Sequence, residues 1–281
     1  MNKIIAWWSG GVTSAVACKL CVDLYGIENV RFISIDTKNE DEDTLRFMLD
    51  CEKWYGKKIE SISSTKIIQE VWREHKSLNV ASGAICSTVL KRKVRELWQK
   101  TNEYDYQAFG FDLWEAKRAI GMTLNHKNAK AIYPLMMYGY SKKDCIKIIE
   151  SAGIKVPRVY HLGYKNNNCF KTGCVQGGIG YWQKIRREYP DKFDAMADME
   201  HELTNSKCKP VTMLKDQSDK AKESGNWQVF LKKHPAYPNL KELADFKPQK
   251  VEPLFECNGW CGINDLEKRS PTEQELNFVE A

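Results

Sequence analysis

The stretch "AWWSGGVTSAVACKL", residues 6–20, carries an apolar run into a glycine pair and straight on into a helical pattern. Ile4–Trp8 reads as a strand, and Thr13–Tyr25 as a helix closed by Gly26, a residue suited to the position after a helix. A tight turn needs glycine, but it does not need Ser9, Thr13 and Ser14 around it. After a parallel strand, backbone N–H groups and the positive end of the next helix form a seat for a phosphate. Gly10 and Gly11 lack the Cβ that would hold a ligand off the backbone, and the three hydroxyls add donors. A purely structural Gly-Gly turn reads equally well from these six residues. The loop G-x-x-x-x-G-K-[ST] occurs nowhere in the chain, so an ordinary P-loop NTPase is excluded. No G-x-G-x-x-G follows the first strand, which speaks against a dinucleotide enzyme.

Outward from this stretch the chain alternates. Val30–Ile35, Lys58–Ile62 and Tyr106–Phe109 read as further strands, and Ala131–Met137 as a last strand-like segment. Asp43–Tyr55, Thr65–His75, Cys86–Lys100 and Ser141–Ala152 read as helices, the last with Ser141 and Asp144 as a capping pair. Such alternation predicts an α/β fold: a doubly wound, mostly parallel, Rossmann-like sheet with helices on both faces. From about residue 165 the texture changes. "YKNNNCFKTGCVQGGIGYW" is rich in glycine, asparagine and cysteine, Tyr181–Leu203 reads as a helix interrupted near Pro190, and residues 205–250 are polar and lysine-rich. The division expected is a nucleotide-binding domain over 1–165 and a less regular, helical, cysteine-bearing region over 166–281.

The 281 residues are 28% charged and 42% hydrophobic, with a net charge of +6. That balance suits an anionic ligand such as a nucleotide, and permits nucleic acid. No apolar run approaches the roughly 18–20 residues that span a bilayer, and Ile4–Trp8 is too short for a signal-peptide core. The expectation is a cytoplasmic protein without a membrane partner. Ten cysteines are many for such a chain, and in a reducing compartment clustered thiols point to metal or redox work. Cys18, Cys21, Cys51 and Cys145 fall in helical patterns among apolar neighbours and read as core. Cys169 and Cys174 are separated by four residues in an irregular loop, and Cys257 and Cys261 by three in the tail. Cys86 precedes the basic helix. Two short-spaced pairs in glycine-rich loops are poor core positions, so a metal is the favoured reading, with unrelated thiols as the alternative. Cys208 stands alone in a lysine-rich loop and is assigned nothing.

Ser9-Gly10-Gly11-Val12-Thr13-Ser14 resembles the S-G-G-x-x-S pyrophosphate loop of the adenine nucleotide α-hydrolase (PP-loop, HUP-type) superfamily. "FISIDTKNE", "ICSTVLKRKVREL", "GFDLWEAKRA", "YPLMMYGYSKKDCIKII" and "VPRVYHLGYKNNNCFKTGC" are similar, in sequence order, to segments of its phosphoadenosine phosphosulfate (PAPS) reductase-like branch. The similarity spans roughly residues 4–203. It implies that Ser9, Gly10, Gly11, Thr13, Ser14, Asp36, Thr37 and Gly110 line a nucleotide site at the strands' carboxyl ends, with Lys91 and Arg118 supplying positive charge. Read without a ligand, the Lys91–Arg95 run is a solvated helix face, and Asp36 a helix N-terminal or loop carboxylate. The family pattern further implies a 4Fe–4S cluster near the nucleotide, held by Cys86, Cys169 and Cys174 with Cys257 or Cys261 as fourth ligand. Zinc on the same sulfurs is chemically reasonable. The chain departs from the pattern twice. Thr13 stands where ATP pyrophosphatases carry a magnesium-holding aspartate, for which Asp36 or Asp112 could substitute. "FECNGWCGIN" splits the reductases' E-C-G-x-H segment and lacks its histidine.

Three functions follow. The first is an enzyme that takes ATP with Mg²⁺ and cleaves it to AMP and pyrophosphate. It would adenylylate a nucleic-acid base or small-molecule acceptor, for sulfur transfer from a thiol or sulfur donor protein; Ser9 and Ser14 would hold the leaving pyrophosphate. The second is a thiol-dependent PAPS or APS reductase with Cys257 or Cys261 as nucleophile. The third is a non-catalytic nucleic-acid-binding module with a structural zinc, using some of its 9 Trp and 12 Tyr to stack on bases. Trp72 and Trp98, at helical spacing, read as core.

Overall fold

A computed structural model describes residues 3–80, 83–252 and 254. Its strands are β1 (Ile4–Trp8), β2 (Val30–Asp36), β3 (Ile59–Ser63), β4 (Asn79–Val80), β5 (Gly83–Ala84), β6 (Tyr106–Ala108), β7 (Ala131–Ile132), β8 (Leu214–Lys215), β9 (Gln228–Phe230) and β10 (Lys241–Glu242). The helices of the first half are α1 (Val12–Tyr25), α2 (Asp43–Tyr55), α3 (Ile68–His75), α4 (Ile85–Ser87), α5 (Lys93–Thr101), α6 (Ala116–Asn125), α7 (Pro134–Met137), α8 (Lys142–Ser151) and α9 (Arg158–His161). After them come α10 (Ile179–Glu188), α11 (Pro190–Lys207) and α12 (Asp219–Ser224).

The central sheet has the order β3-β2-β1-β6-β7 and is parallel throughout. Every residue of β1 is buried, as expected of a central strand covered on both faces. Its side chains divide by period two: Ile4, Ala6 and Trp8 join one core cluster, and Ile5 and Trp7 join another. Ile4 lies opposite Val30 on one side and Tyr106 on the other. Successive strands step outward from β1 first one way and then the other, so the order reverses beside it. Ligands of open α/β sheets bind at the carboxyl ends of strands next to such a reversal.

Four expectations change. Only Ala131–Ile132 is strand; Pro134 opens the short helix α7, because its fixed φ suits a first turn and it has no N–H for a ladder. The basic segment is α4, a π-helical stretch Thr88–Arg92 and α5, and Lys91 and Arg95 within it are buried rather than solvated. Residues 205–250 contain a second sheet, β10-β9-β8, of strands too short to show a periodicity. Cys169 and Cys174, which read as poor core positions, are buried and share one cluster with Cys86, Trp72, Tyr181 and Trp182. Cys18, Cys21, Cys51, Cys145, Trp72 and Trp98 are buried as expected. No helix among the described residues is long and apolar enough to cross a membrane.

Candidate functional site

The turn between β1 and α1 is held from several sides. Gly10 has φ +85°, where a side chain is strained, and a Cβ there would lie 3.0 Å from Thr44 Cγ2. The Ser14 hydroxyl donates to Gly11 O at 2.9 Å and accepts from Ser9 N–H at 3.0 Å, closing the loop on itself. Asn167 Nδ2 donates to Gly10 O at 2.9 Å and to Thr44 Oγ1 at 3.1 Å. Val12 N–H donates to the Tyr160 hydroxyl at 3.3 Å. Gly110, just past β6, packs on this loop so closely that only a residue without Cβ fits. Gly11, at the head of α1, has no side chain with which to cap it, the Tyr160 hydroxyl accepts from the first amide, and the first turn holds no acidic residue. The positive end of the helix is therefore not neutralised from within. The Thr13 hydroxyl is buried beside it and has no hydrogen-bond partner among the described residues.

A cavity of about 490 Å³ opens next to the loop, at the carboxyl ends of the first three strands. Ser9, Ser34, Asp36, Thr44, Ser61 and Lys171 are among its walls. Asp36 is exposed, and its carboxylate accepts from Lys38 N–H at 2.6 Å. Thr37 is buried and donates to Glu40 at 2.7 Å. Glu40, on the cavity wall, stands 4.0 Å from the buried Lys91 ammonium. The segment 37–44 is pinned by the loop 166–173. Asn39 O accepts from Phe170 N–H and Lys171 N–H at 3.0 and 3.1 Å, and Asn39 Nδ2 donates to Thr172 at 2.7 Å. Asp41 is held by Arg158 at 2.8 and 3.0 Å.

Ser9–Ser14, Gly110, Asp36, Thr37 and Lys91 are thus gathered around one sheet edge. Arg118 stands on the β6 side, buried, paired with Glu115 and 4.7 Å over the Phe111 ring. Asp112 accepts from Trp114 N–H and Lys142 N–H at 3.0 and 3.2 Å, which gives it a capping task.

The cysteines divide by place. Burial pushes the Cys21 and Cys51 thiols up to about 12, which leaves them protonated and inert. Cys174 N–H donates to the Tyr181 hydroxyl at 3.0 Å, and burial, then the neighbouring Cys174, holds that phenol well above its usual range. Among the described residues no three His, Cys, Asp or Glu side chains come together as a metal site. Cys86, Cys169 and Cys174 by themselves do not fit a cluster or zinc. Cys257 and Cys261 lie outside the described residues.

A second glycine-rich helix start exists at Gly177-Gly178, before α10. It is already occupied: the Glu252 carboxylate accepts from Gly180 N–H and Tyr181 N–H, each at 3.0 Å. Only the start of α1, of these two, has no carboxylate upon it.

Sequence reasoning missed Asn167, Tyr160, Thr44 and Asn39. The run Asn166-Asn167-Asn168 is the one signal available. All three are buried, and buried amides are placed to make hydrogen bonds, but their partners lie far away in sequence.

Comparison with known proteins bears on the same segment. The family model described as "Phosphoadenosine phosphosulfate reductase domain" matches residues 3–173, well over half of the chain. An uncharacterized protein of Methanocaldococcus jannaschii is 24% identical over 196 residues, 67% of this chain. The match takes in only 39% of that relative's length. Among solved structures, phosphoadenylyl-sulfate reductase from Candida auris in a phosphate complex is similar at a TM-score of 0.45 and 15% identity, over 60% of this chain and 82% of its own. The U34-tRNA thiolase NcsA of Methanococcus maripaludis with its [4Fe-4S] cluster is similar at a TM-score of 0.39 and 18% identity, over 72% of each chain.

Proposed function

From the premise that the chain belongs to the phosphoadenosine phosphosulfate reductase domain family, we propose that it is an enzyme that binds ATP and cleaves it to AMP and pyrophosphate, adenylylating an acceptor. The observation that carries this reading is the start of α1, whose first turn holds no acidic residue and buries the partnerless Thr13 hydroxyl, with Ser9 of the same loop lining a cavity at the strands' carboxyl ends. The β- and γ-phosphates would lie on the Ser9–Ser14 loop, and the nucleoside in the cavity, where Asp36 can accept from a ribose hydroxyl. As the acceptor attacks the α-phosphorus, the bond to the bridging oxygen breaks and its electron pair leaves with pyrophosphate. Negative charge then grows on the group that the loop holds, and donors fixed in advance favour that transition state. Lys91 and Arg118 would add positive charge to the site.

A second reading, a sulfonucleotide reductase, is favoured by Thr13, which puts a hydroxyl where a magnesium-holding carboxylate would otherwise stand. In that case the loop holds the sulfonucleotide, and a thiol attacks its sulfur. One set of titrations separates the two: ATP, AMP, APS and PAPS measured by calorimetry, with product analysis. Tightest binding of ATP, with AMP and pyrophosphate released in the presence of Mg²⁺ and an acceptor, supports the first reading. Sulfite from PAPS or APS with a dithiol donor replaces it by the second. Absence of binding by all four overturns both.

A further inference from the structure

We propose that Asn167 is a positioning residue that aims the phosphate loop, an inference that rests on the nucleotide site proposed above. Glycine leaves the Gly10–Gly11 peptide plane free to turn over. The described peptides are all trans, and in a trans unit the C=O and the N–H point in opposite directions. Whatever holds the Gly10 carbonyl therefore also sets where the Gly11 N–H points. Asn167 Nδ2 holds that carbonyl at 2.9 Å, from 157 residues away. Turned over, the plane would present an oxygen to an arriving anion in place of a donor. The next plane is fixed locally, because Ser14 donates to Gly11 O.

The side chain is itself locked. It is 3% exposed, and Nδ2 also donates to Thr44 Oγ1 at the start of α2. Its neighbour Asn166 accepts from Leu254 N–H at 3.0 Å. Two successive asparagines thus anchor their loop to the phosphate loop on one side and to the chain arriving from β10 on the other.

The test compares wild type, Asn167→Leu and Asn167→Asp. Leucine keeps the bulk and removes the donor; aspartate keeps the shape and sets an oxygen against the Gly10 carbonyl. Inorganic pyrophosphate is titrated by calorimetry, and the glycine amide signals are followed by NMR. Both variants are expected to bind pyrophosphate about tenfold more weakly, the scale of one hydrogen bond. The Gly11 amide signal should move while that of Gly225, at the end of α12, stays in place. A merely structural role would move both signals. Affinity within twofold of wild type, or displacement of Gly225 together with Gly11, overturns the proposal. If Asn167→Leu fails to fold, Asn167→Asp alone decides. A wild-type protein that binds neither pyrophosphate nor any adenine nucleotide refutes the nucleotide site itself, before any variant is made.

Discussion

Gly110 rests on Ser14 backbone to backbone: a Cβ on Gly110 would stand 2.6 Å from Ser14 Cα and 2.7 Å from its nitrogen. The turns after β1 and β6 therefore share one packed contact, and neither can shift alone. Gly110→Ala forces them apart. It is expected to destabilise the fold by about 1–3 kcal/mol, the usual range for overpacking, and to weaken ATP binding at the same time. Urea unfolding and calorimetry measure the two effects, and a loss of one without the other would separate the turns.

Ser14→Ala tests the inner closure of the loop. It strands the Ser9 N–H and takes one of two donors from the Gly11 carbonyl, which keeps the bond from Ala15 N–H at 3.1 Å. Such a loss costs about 1–3 kcal/mol where the groups stay buried. ATP affinity is expected to fall, since the Ser9 end of the loop loses its tie to α1 and the Gly11–Val12 plane one of its two anchors. Unchanged affinity would place the anion elsewhere.

Glu200 gives a dependence on pH with a definite sign. It is fully buried and accepts from Met213 N–H at 2.8 Å and Leu231 N–H at 2.7 Å, tying α11 to the second sheet. Burial pushes its carboxyl from the ordinary 4.5 up to about 8. Between those values the folded chain keeps a proton that the unfolded chain has released. Its contribution to stability is thus complete below about pH 4.5 and is lost as pH rises toward 8, by at most about 1.4 kcal/mol per unit. Urea stability of wild type minus that of Glu200→Gln is expected to decline from pH 5 to pH 8. A flat difference would show that the carboxyl ionises normally.

Glu252→Ala removes the acceptor from the start of α10. Exchange of the Gly180 and Tyr181 amides is expected to quicken by about tenfold, corresponding to roughly 1.4 kcal/mol of lost protection. Hydrogen–deuterium exchange reads this directly. Amides of α8 serve as the reference and should not change.

Much of the fold was legible because its signals are local. The buried run of β1, the glycine turn and the Asp43–Tyr55 helix all depend on neighbours in sequence. So does the capping pair of Ser141 and Asp144, which forms as read. Asn167 and Tyr160 were not legible, because each acts on a peptide about 150 residues away and carries no pattern of its own. The same holds for Cys169 and Cys174. Their spacing in a glycine-rich loop gives no hint that both are buried in one cluster with Trp72 and Trp182. The π-helical turn at Thr88–Arg92 shifts the phase of a basic helix, so charged residues that a regular helix would expose turn inward.

The tether at residue 252 has one more consequence. By supplying its own carboxyl to one of the two glycine-rich helix starts described, the chain leaves the other as the doorway for small anions, and common buffer ions should compete there. Removing one side chain would create a rival berth, which makes position 252 a place where a second anion specificity could be engineered into the scaffold.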